Sequence, residues 1–338
     1  MALKNSRSND NWPPEVIDDA ALAASRRRKR HRESGGAVFI LLLGLAGLFA
    51  GRLGMLWSRF DMFAQFTIQF YILAAAGAGG LFCPRFKGLV AGLVAVMLIF
   101  GYGAWPNFVG SVTEKQLVTG EKRLKVAQFN LGGERSNVDS VVASLKALNA
   151  DVVSLVEARA ERPDLLEQLK AQYPYQVNCF DKSGCEMAIV SKLPLSESNI
   201  VGAVHTVPII SASLGADYAG LVVIAVHTAR FPHITEQFTQ FRFIAQALEN
   251  QSGPLLVLGD FNATPQSRVL KEFAQRLGLA VNTYLPSWPA TYGSPQLAID
   301  HILTSSSLRV LSAEEAGQSA GSDHLPIALV LGVAPQVK

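Results

Sequence analysis

The sequence predicts a layered α/β domain preceded by three transmembrane helices. Three observations predict it. Long apolar runs crowd the first third of the chain, short β-branched segments alternate with amphipathic stretches over the rest, and acids, amides and imidazoles stand at the ends of those segments.

The membrane segments come first. The chain has 338 residues, 49% of them hydrophobic and 17% charged, a balance shifted toward the apolar side of a soluble average. The shift is local. It sits in Gly36–Trp57, Met62–Phe82 and Gly88–Trp105, each reaching the ~20 residues that a helix needs to cross a hydrocarbon core. Apolar residues run all the way round these segments, where the helix of a soluble core would show a stripe. A cleaved leader fits less well, because the first run begins at Gly36 and two more follow it.

Orientation follows from the basic flanks. "SRRRKRHR" (Ser25–Arg32) precedes the first run and "CPRFK" (Cys83–Lys87) joins the second to the third, so both belong on the cytoplasmic side. Three crossings then put everything after Trp105 on the outer face of the cell (inner) membrane, facing the periplasm or the exterior. The expected divisions are 1–34, a disordered basic cytoplasmic tail; 35–107, the three helices and their contact with membrane lipid; 108–122, a linker; and 123–338, the α/β domain.

Charge supports the division. Residues 1–110 hold 12 Lys and Arg against 6 Asp and Glu, while residues 111–338 hold 18 against 21. The positive excess therefore belongs to membrane topology, and the outer domain has no bulk charge with which to hold nucleic acid nonspecifically. Of the three cysteines, Cys83 falls at a membrane boundary, and Cys179 and Cys185 bracket the turn-forming "FDKSG". In an oxidising compartment these two could close a short loop as a disulfide; the alternative is a pair of free thiols. No neighbouring His or Cys pair has metal-site spacing.

Within the outer domain, "LKVAQFNL", "DVVSLVEA", "YQVNCF", "EMAIVS", "LVVIAVHT", "PLLVLGDFN", "AIDHILTS" and "LPIALVLG" have strand length and β-branched enrichment. "SNVDSVVASLKALNA" spaces Val138, Val141, Val142, Leu145 and Leu148 at helical intervals behind the capping residues Ser136 and Asn137. "HITEQFTQFRFIAQAL" does the same with Phe238, Phe241, Ile244 and Leu248. A further helix is expected from Thr264 as N-cap with Pro265 in its first turn. Strands interleaved with helices on this scale mean layered α/β.

The strand ends carry the chemistry. "VAQFN" ends in Asn130, "VVSLVE" in Glu157, "VVIAVH" in His227 and "LLVLGDFN" in Asp260 and Asn262. "AID" supplies Asp300, and "GSDHLPI" places Asp323 and His324 before the final strand. If these strands share one or two packed sheets, the polar groups converge on one edge, where sites in α/β architecture lie. Carboxylates and amide oxygens without a His/Cys cluster suit Mg²⁺ or Mn²⁺ better than zinc. Such a cation polarises a phosphoryl oxygen and steadies the leaving oxygen during attack by water. There is no Ser in a G-x-S-x-G elbow and no Gly-rich phosphate loop with Lys. Metal-assisted phosphoester hydrolysis is the reaction class these residues indicate.

Taken in order, "VAQFN", Glu157, the "VH" ending at His227, "GDFN", "IDHIL" and "SDHLP" resemble the endonuclease/exonuclease/phosphatase (DNase I-like) superfamily, which includes nucleases, sphingomyelinases and inositol polyphosphate phosphatases. The likeness runs from about Leu124 to Val333. It implies a four-layer α/β/β/α sandwich with Mg²⁺ at its catalytic edge. By the same resemblance, Glu157 is the principal metal ligand, with Asn130 and Asp323 close to the ion. Asp260 orients or deprotonates the attacking water and Asn262 helps to hold the phosphate. His324 stabilises the transition state with Asp300 as its partner, and His227 is a candidate acid for the leaving oxygen. Two departures stand out: Val156 precedes Glu157 where the family commonly has Gln, and Gly132 stands where abasic-site nucleases carry an acid. No catalytic role is expected of His301.

The expectation is therefore a membrane-anchored, Mg²⁺-dependent (or Mn²⁺-dependent) hydrolase of phosphodiester or phosphomonoester bonds, in which Asp260 activates water beside a metal held by Glu157. Its substrate would be nucleic acid or a lipid headgroup. The aromatic loop "TYLPSWPATYGSP", with Tyr284, Trp288 and Tyr292, is a candidate lipid contact. The alternative is a non-catalytic membrane protein that binds a phosphate ligand on the same fold.

Overall fold

The computed structural model describes residues 19–81, 115–133, 136–158, 163–201, 207–281, 285–291, 297–315 and 317–335. Three helices open it: α1 (Asp19–Leu53), the single turn α2 (Asp61–Ala64) and α3 (Thr67–Gly80), with a 3₁₀ turn at Ser58–Phe60. Helix α1 reaches back to Asp19, so residues 19–34 of the tail expected to be disordered are helical. Its Gly35–Leu53 portion is the one helix among the described residues that is long and apolar enough to cross a membrane by itself. Ser58–Ala64 and Thr67–Gly80 pass only as a pair bent by 61°. The expected third crossing, Gly88–Trp105, lies outside the described residues.

The outer domain has two six-stranded sheets. The first is ordered β11-β12-β1-β2-β4-β3, from strands Leu308–Glu315, Ile327–Val333, Lys122–Asn130, Val152–Val156, Met187–Ser191 and Tyr175–Asn178. The second is ordered β5-β6-β7-β8-β10-β9, from Leu195–Val201, Ile209–Leu214, Val222–His227, Leu255–Asp260, Asp300–Ser305 and Leu279–Val281. Period-two alternation sorts each strand between two faces. Leu124 and Val126 of β1, Leu256 and Leu258 of β8, Val223 and Ala225 of β7 and Ile302 of β10 fill the core between the sheets.

The opposite parity feeds two outer cores. Ala127, Phe129, Val153 and Leu155 pack under α4 (Val138–Leu148) and α5 (Pro163–Leu169). Ile224, Val226, Val257 and Leu303 pack under α6 (Ile234–Leu248) and α7 (Arg268–Arg276). The result is four layers. Asn137 caps α4 as its sequence indicates, accepting from the Ser140 N–H at 3.1 Å. Helix α7 begins later than Thr264 and Pro265 suggest, at Arg268, and its N-cap residue Ser267 makes no side-chain cap. One glycine is sterically required. A Cβ on Gly259 would stand 1.9 Å from the Val226 carbonyl oxygen, so β7 and β8 can pair closely only because residue 259 has no side chain.

Candidate active site

The same parity that fills the inter-sheet core continues to the strand ends and there turns polar. Gln128 and Asn130 follow Leu124 and Val126, His227 follows Val223 and Ala225, and Asp260 follows Leu256 and Leu258. Strand direction then gathers them. β7 and β8 are parallel, with His227 beside Asp260, and β10 runs antiparallel to β8, so its first residue Asp300 pairs with Asp260. In the other sheet β12 runs antiparallel to β1, which brings His324 back to the end that carries Asn130.

The groups form one network. Asn130 Nδ2 donates to Glu157 Oε1 at 3.1 Å and to Asp260 Oδ2 at 3.0 Å, while its own oxygen accepts from the Gly132 N–H at 2.9 Å. His324 Nδ1 lies 2.7 Å from Asp300 Oδ2, and its Nε2 lies 3.9 Å from Asp260 Oδ2. His227 Nε2 stands 3.9 Å from that same Asp260 oxygen. Asn262, in the left-handed region at φ 46°, donates from its backbone N–H to Asp260 Oδ1 at 2.8 Å and from its side chain to the Thr228 carbonyl at 2.9 Å. Asp323 accepts from the Trp288 indole at 3.2 Å.

Glu157, Asp260, Asn262, His227, Asp323 and His324 line a cavity of about 950 Å³, and buried Asn130 and Asp300 support it from behind. Glu157 would point away from the cavity if β2 kept its alternation; a φ of 54° redirects it. A non-glycine residue held there stores roughly 1–3 kcal/mol of strain, which functional positions tolerate more often than structural ones.

Burial sets the charges. It pushes the Asp260 carboxyl up to about 6, with the Asp300 carboxylate adding to the rise. Burial opposes ionisation of Asp300 as well, yet the His324 charge and the hydrogen bonds from His324 and Gln128 hold it below its ordinary value. For His324, burial lowers and Asp300 raises; the carboxylates win and carry it to about 9. The two buried acids and the imidazole held between them are thus tied together by charge, each carboxylate favouring the protonated ring.

Asp260, Asp300 and His324 are the three groups whose ligand atoms all lie within 4.8 Å of one another. This corrects the expected arrangement of Asp260 acting on water beside a metal held by Glu157: no glutamate belongs to the cluster. The physical reason is spacing. Asp260 and Asp300 are paired residues on adjacent strands of one sheet, whereas the Asn130 amide stands between Glu157 and Asp260 and bonds to both. Hard carboxylate oxygens of this kind fit a divalent cation.

His301 lies apart from the cavity lining. Its parity sends it to the helix side, where Nε2 meets the Ala263 carbonyl at 2.7 Å and the ring stands edge-on to Phe261, and burial lowers it to about 4. Sequence reasoning missed the supporting residues. Gln128 donates to Asp300 at 3.4 Å, and Ser322 donates to the Asn130 carbonyl at 2.7 Å while accepting from the His324 N–H at 3.0 Å. Gln128 was findable from strand parity alone; Ser322 carries no such signal. The wall formed by Arg230, Phe231 and Pro232 was missed too. Of the aromatic loop, Tyr284 and Tyr292 lie outside the described residues. The Cys179–Cys185 disulfide is formed, with Cα atoms 5.6 Å apart.

Residues 127–324 match the model of the Endonuclease/Exonuclease/phosphatase family. No curated protein matches the chain. Among solved structures, an endonuclease/exonuclease/phosphatase from Beutenbergia cavernae superposes with a TM-score of 0.52 at 17% identity, covering 64% of this chain and 73% of that one. A family protein from Bacteroides thetaiotaomicron gives 0.51 at 14% identity over 63% of this chain and 98% of its own. At such identities the likeness is one of fold.

Proposed function

The chain belongs to the endonuclease/exonuclease/phosphatase family, and from that premise we propose that it is a divalent-cation-dependent hydrolase of phosphoester bonds, anchored in the cell membrane with its α/β domain on the outer face. The observation that carries the reading is the buried Asp260, Asp300 and His324 cluster at the common strand edge, with Asp260 and His324 lining an open cavity and Asp300 behind them. Within this cluster the Asp260 and Asp300 carboxylates are the groups that would hold the cation. Oxygen donors make Mg²⁺ the favoured ion, with Mn²⁺ as its substitute. When bound, the cation supplies positive charge to a phosphoryl oxygen.

The remaining roles belong to side chains. His324, oriented through Nδ1 by Asp300, offers Nε2 to a phosphoryl oxygen. His227, half-buried at the cavity wall, is placed to protonate the leaving oxygen. The Asn262 amide is fixed by the Thr228 carbonyl at the cavity rim, and Asp323 stands opposite beside Trp288.

Support for the anchor is physical. Phe39, Leu42, Leu43 and Phe49 of α1 are exposed, a surface that hydrocarbon tolerates and water does not. Small residues let α1 and α3 approach, since a Cβ on Gly77 would stand 2.3 Å from the Leu41 backbone nitrogen. The disulfide fits an oxidising outer compartment.

The test uses the full chain in detergent with bis-p-nitrophenyl phosphate. Turnover is expected with Mg²⁺ or Mn²⁺, none after chelation, and none in Asp260→Ala or His324→Ala. Equal rates in the wild type and both variants overturn the assignment. A phosphatase reporter fused after Val333 checks the side of the membrane, since activity confined to the cytoplasm rules out the outward orientation.

A further inference from the structure

The segment joining the two apolar helices is bound to the catalytic domain. Asp61, buried to 1% exposure, accepts from the backbone N–H groups of Arg268 at 2.7 Å and Val269 at 3.1 Å. These are the first two residues of α7, whose own N-cap offers no side-chain bond, so the cap comes from 207 residues away in sequence. Gln65, also buried, accepts from the Thr264 N–H at 2.6 Å, and the Thr264 hydroxyl donates to the Ala64 carbonyl at 3.4 Å. The Arg268 guanidinium donates back to the Met55 carbonyl at 3.1 Å. Phe66 meets Phe231 edge-on, 5.3 Å between centroids.

Both partners border the active site. Phe231 lines the cavity, and Thr264 lies two residues beyond Asn262. On the other side of the segment is the lipid boundary. Phe66 immediately precedes α3, and Met55, Leu56 and Trp57, just past the end of α1, are 66%, 70% and 60% exposed. Three consecutive large apolar side chains with a Trp at a helix end are what the interfacial belt holds. The cavity wall is thus one aromatic contact away from the residue where α3 begins. Docking also requires residues 66 and 115 to share a side, hence an even number of crossings between them.

We propose that residues 54–66 form a seat that fixes the cavity mouth at the lipid–water boundary, and that the site acts on the phosphoester headgroup of an amphiphile embedded in that leaflet. This rests on the membrane-anchored phosphoesterase reading. Charge favours a lipid over nucleic acid: among the described residues that line the cavity, Arg230 is the sole Lys or Arg, whereas a polyanionic backbone is held by several.

The full chain is reconstituted in phosphatidylcholine vesicles and offered three probes: hexadecyl p-nitrophenyl phosphate in the bilayer, ethyl p-nitrophenyl phosphate in solution, and a DNA oligonucleotide. The hexadecyl ester is expected to turn over at least tenfold faster than the ethyl ester. In the Asp61→Ala/Gln65→Ala variant that advantage disappears, while ethyl ester turnover stays within twofold of wild type. Equal rates on the two esters, or DNA as the best substrate, overturn the proposal but leave the phosphoesterase reading standing; no turnover of any probe overturns both.

A second measurement is independent of activity. A nitroxide on Arg230→Cys in a Cys83→Ser background is expected to collide with dissolved oxygen as interfacial residues do, and to lose that signature in the double variant. Full accessibility to aqueous Ni²⁺ in the otherwise wild-type chain places the mouth in bulk water and overturns the seat.

Discussion

His324 and Asp300 share a hydrogen bond of 2.7 Å between Nδ1 and Oδ2, and both side chains are buried. The pair joins the two sheets, since Asp300 opens β10 and His324 precedes β12. Asp300 fixes which imidazole nitrogen faces the cavity. Asp300→Asn should therefore lower kcat/KM by roughly 10²–10⁴, as loss of an aligned acid–base group does. His324→Ala should fall in the same range, and the double variant should be no slower than the slower single one, because the two act as a unit. Steady-state rates on bis-p-nitrophenyl phosphate decide it; additive losses would show two independent roles.

Asn130 keeps apart two acids that would otherwise face each other bare. Its amide donates to Glu157 and Asp260 at once. Asn130→Asp keeps the shape, removes both donors and adds a third carboxylate to the group. Activity should drop about 10–100-fold, the usual cost of losing an outer support of a metal site. Titration with Mg²⁺ should show an altered half-saturation; an unchanged titration and rate would remove Asn130 from the site.

The Cys179–Cys185 bridge closes a short loop beside β3 and β4 in the core between the sheets. A bridge that closes so short a loop removes only a modest amount of entropy from the unfolded chain, so replacing both cysteines by Ser should cost about 2 kcal/mol. The denaturant midpoint of wild type should fall toward that of the variant on reduction, and the variant should not respond to reductant.

Tyr173 is fully buried, its hydroxyl donating to the Leu145 carbonyl at 3.3 Å, and burial pushes it up to about 12. The unfolded chain ionises this phenol near pH 10. A folded value above the unfolded one gives stability that is complete below about pH 10 and is lost as pH rises toward 12. Denaturation at pH 9 and pH 11.5 should show a steeper loss for wild type than for Tyr173→Phe. The variant's neutral-pH cost should be small, because the Leu145 carbonyl also accepts from the Asn149 N–H.

Most of the outer domain was legible because strand residues report their face through parity. "LLVLGDFN" carries its core and its site on the same alternate positions, so one pattern predicts both. The separation of Asp300 from His301 is the clearest instance: adjacent in sequence, they belong to opposite faces. Two features stayed hidden. The grouping of Asp260 with Asp300 in place of Glu157 depends on which strands become neighbours, and a single sequence does not state pairing. The start of α7 was misread because Thr264 and Pro265 make a plausible start by themselves, while the residue that caps the helix is Asp61.

That borrowed cap has a bearing on how the chain is made. Asp61 leaves the ribosome some 207 residues before its partner, so it must wait until α7 is synthesised and comes to it. An ectodomain beginning at residue 115 would expose two bare N–H groups at the start of α7, beside the turn that carries Asn262. The unit of folding therefore does not coincide with the unit of homology: residues 127–324 match the family, but helix α7 is completed by a residue from the segment between α1 and α3.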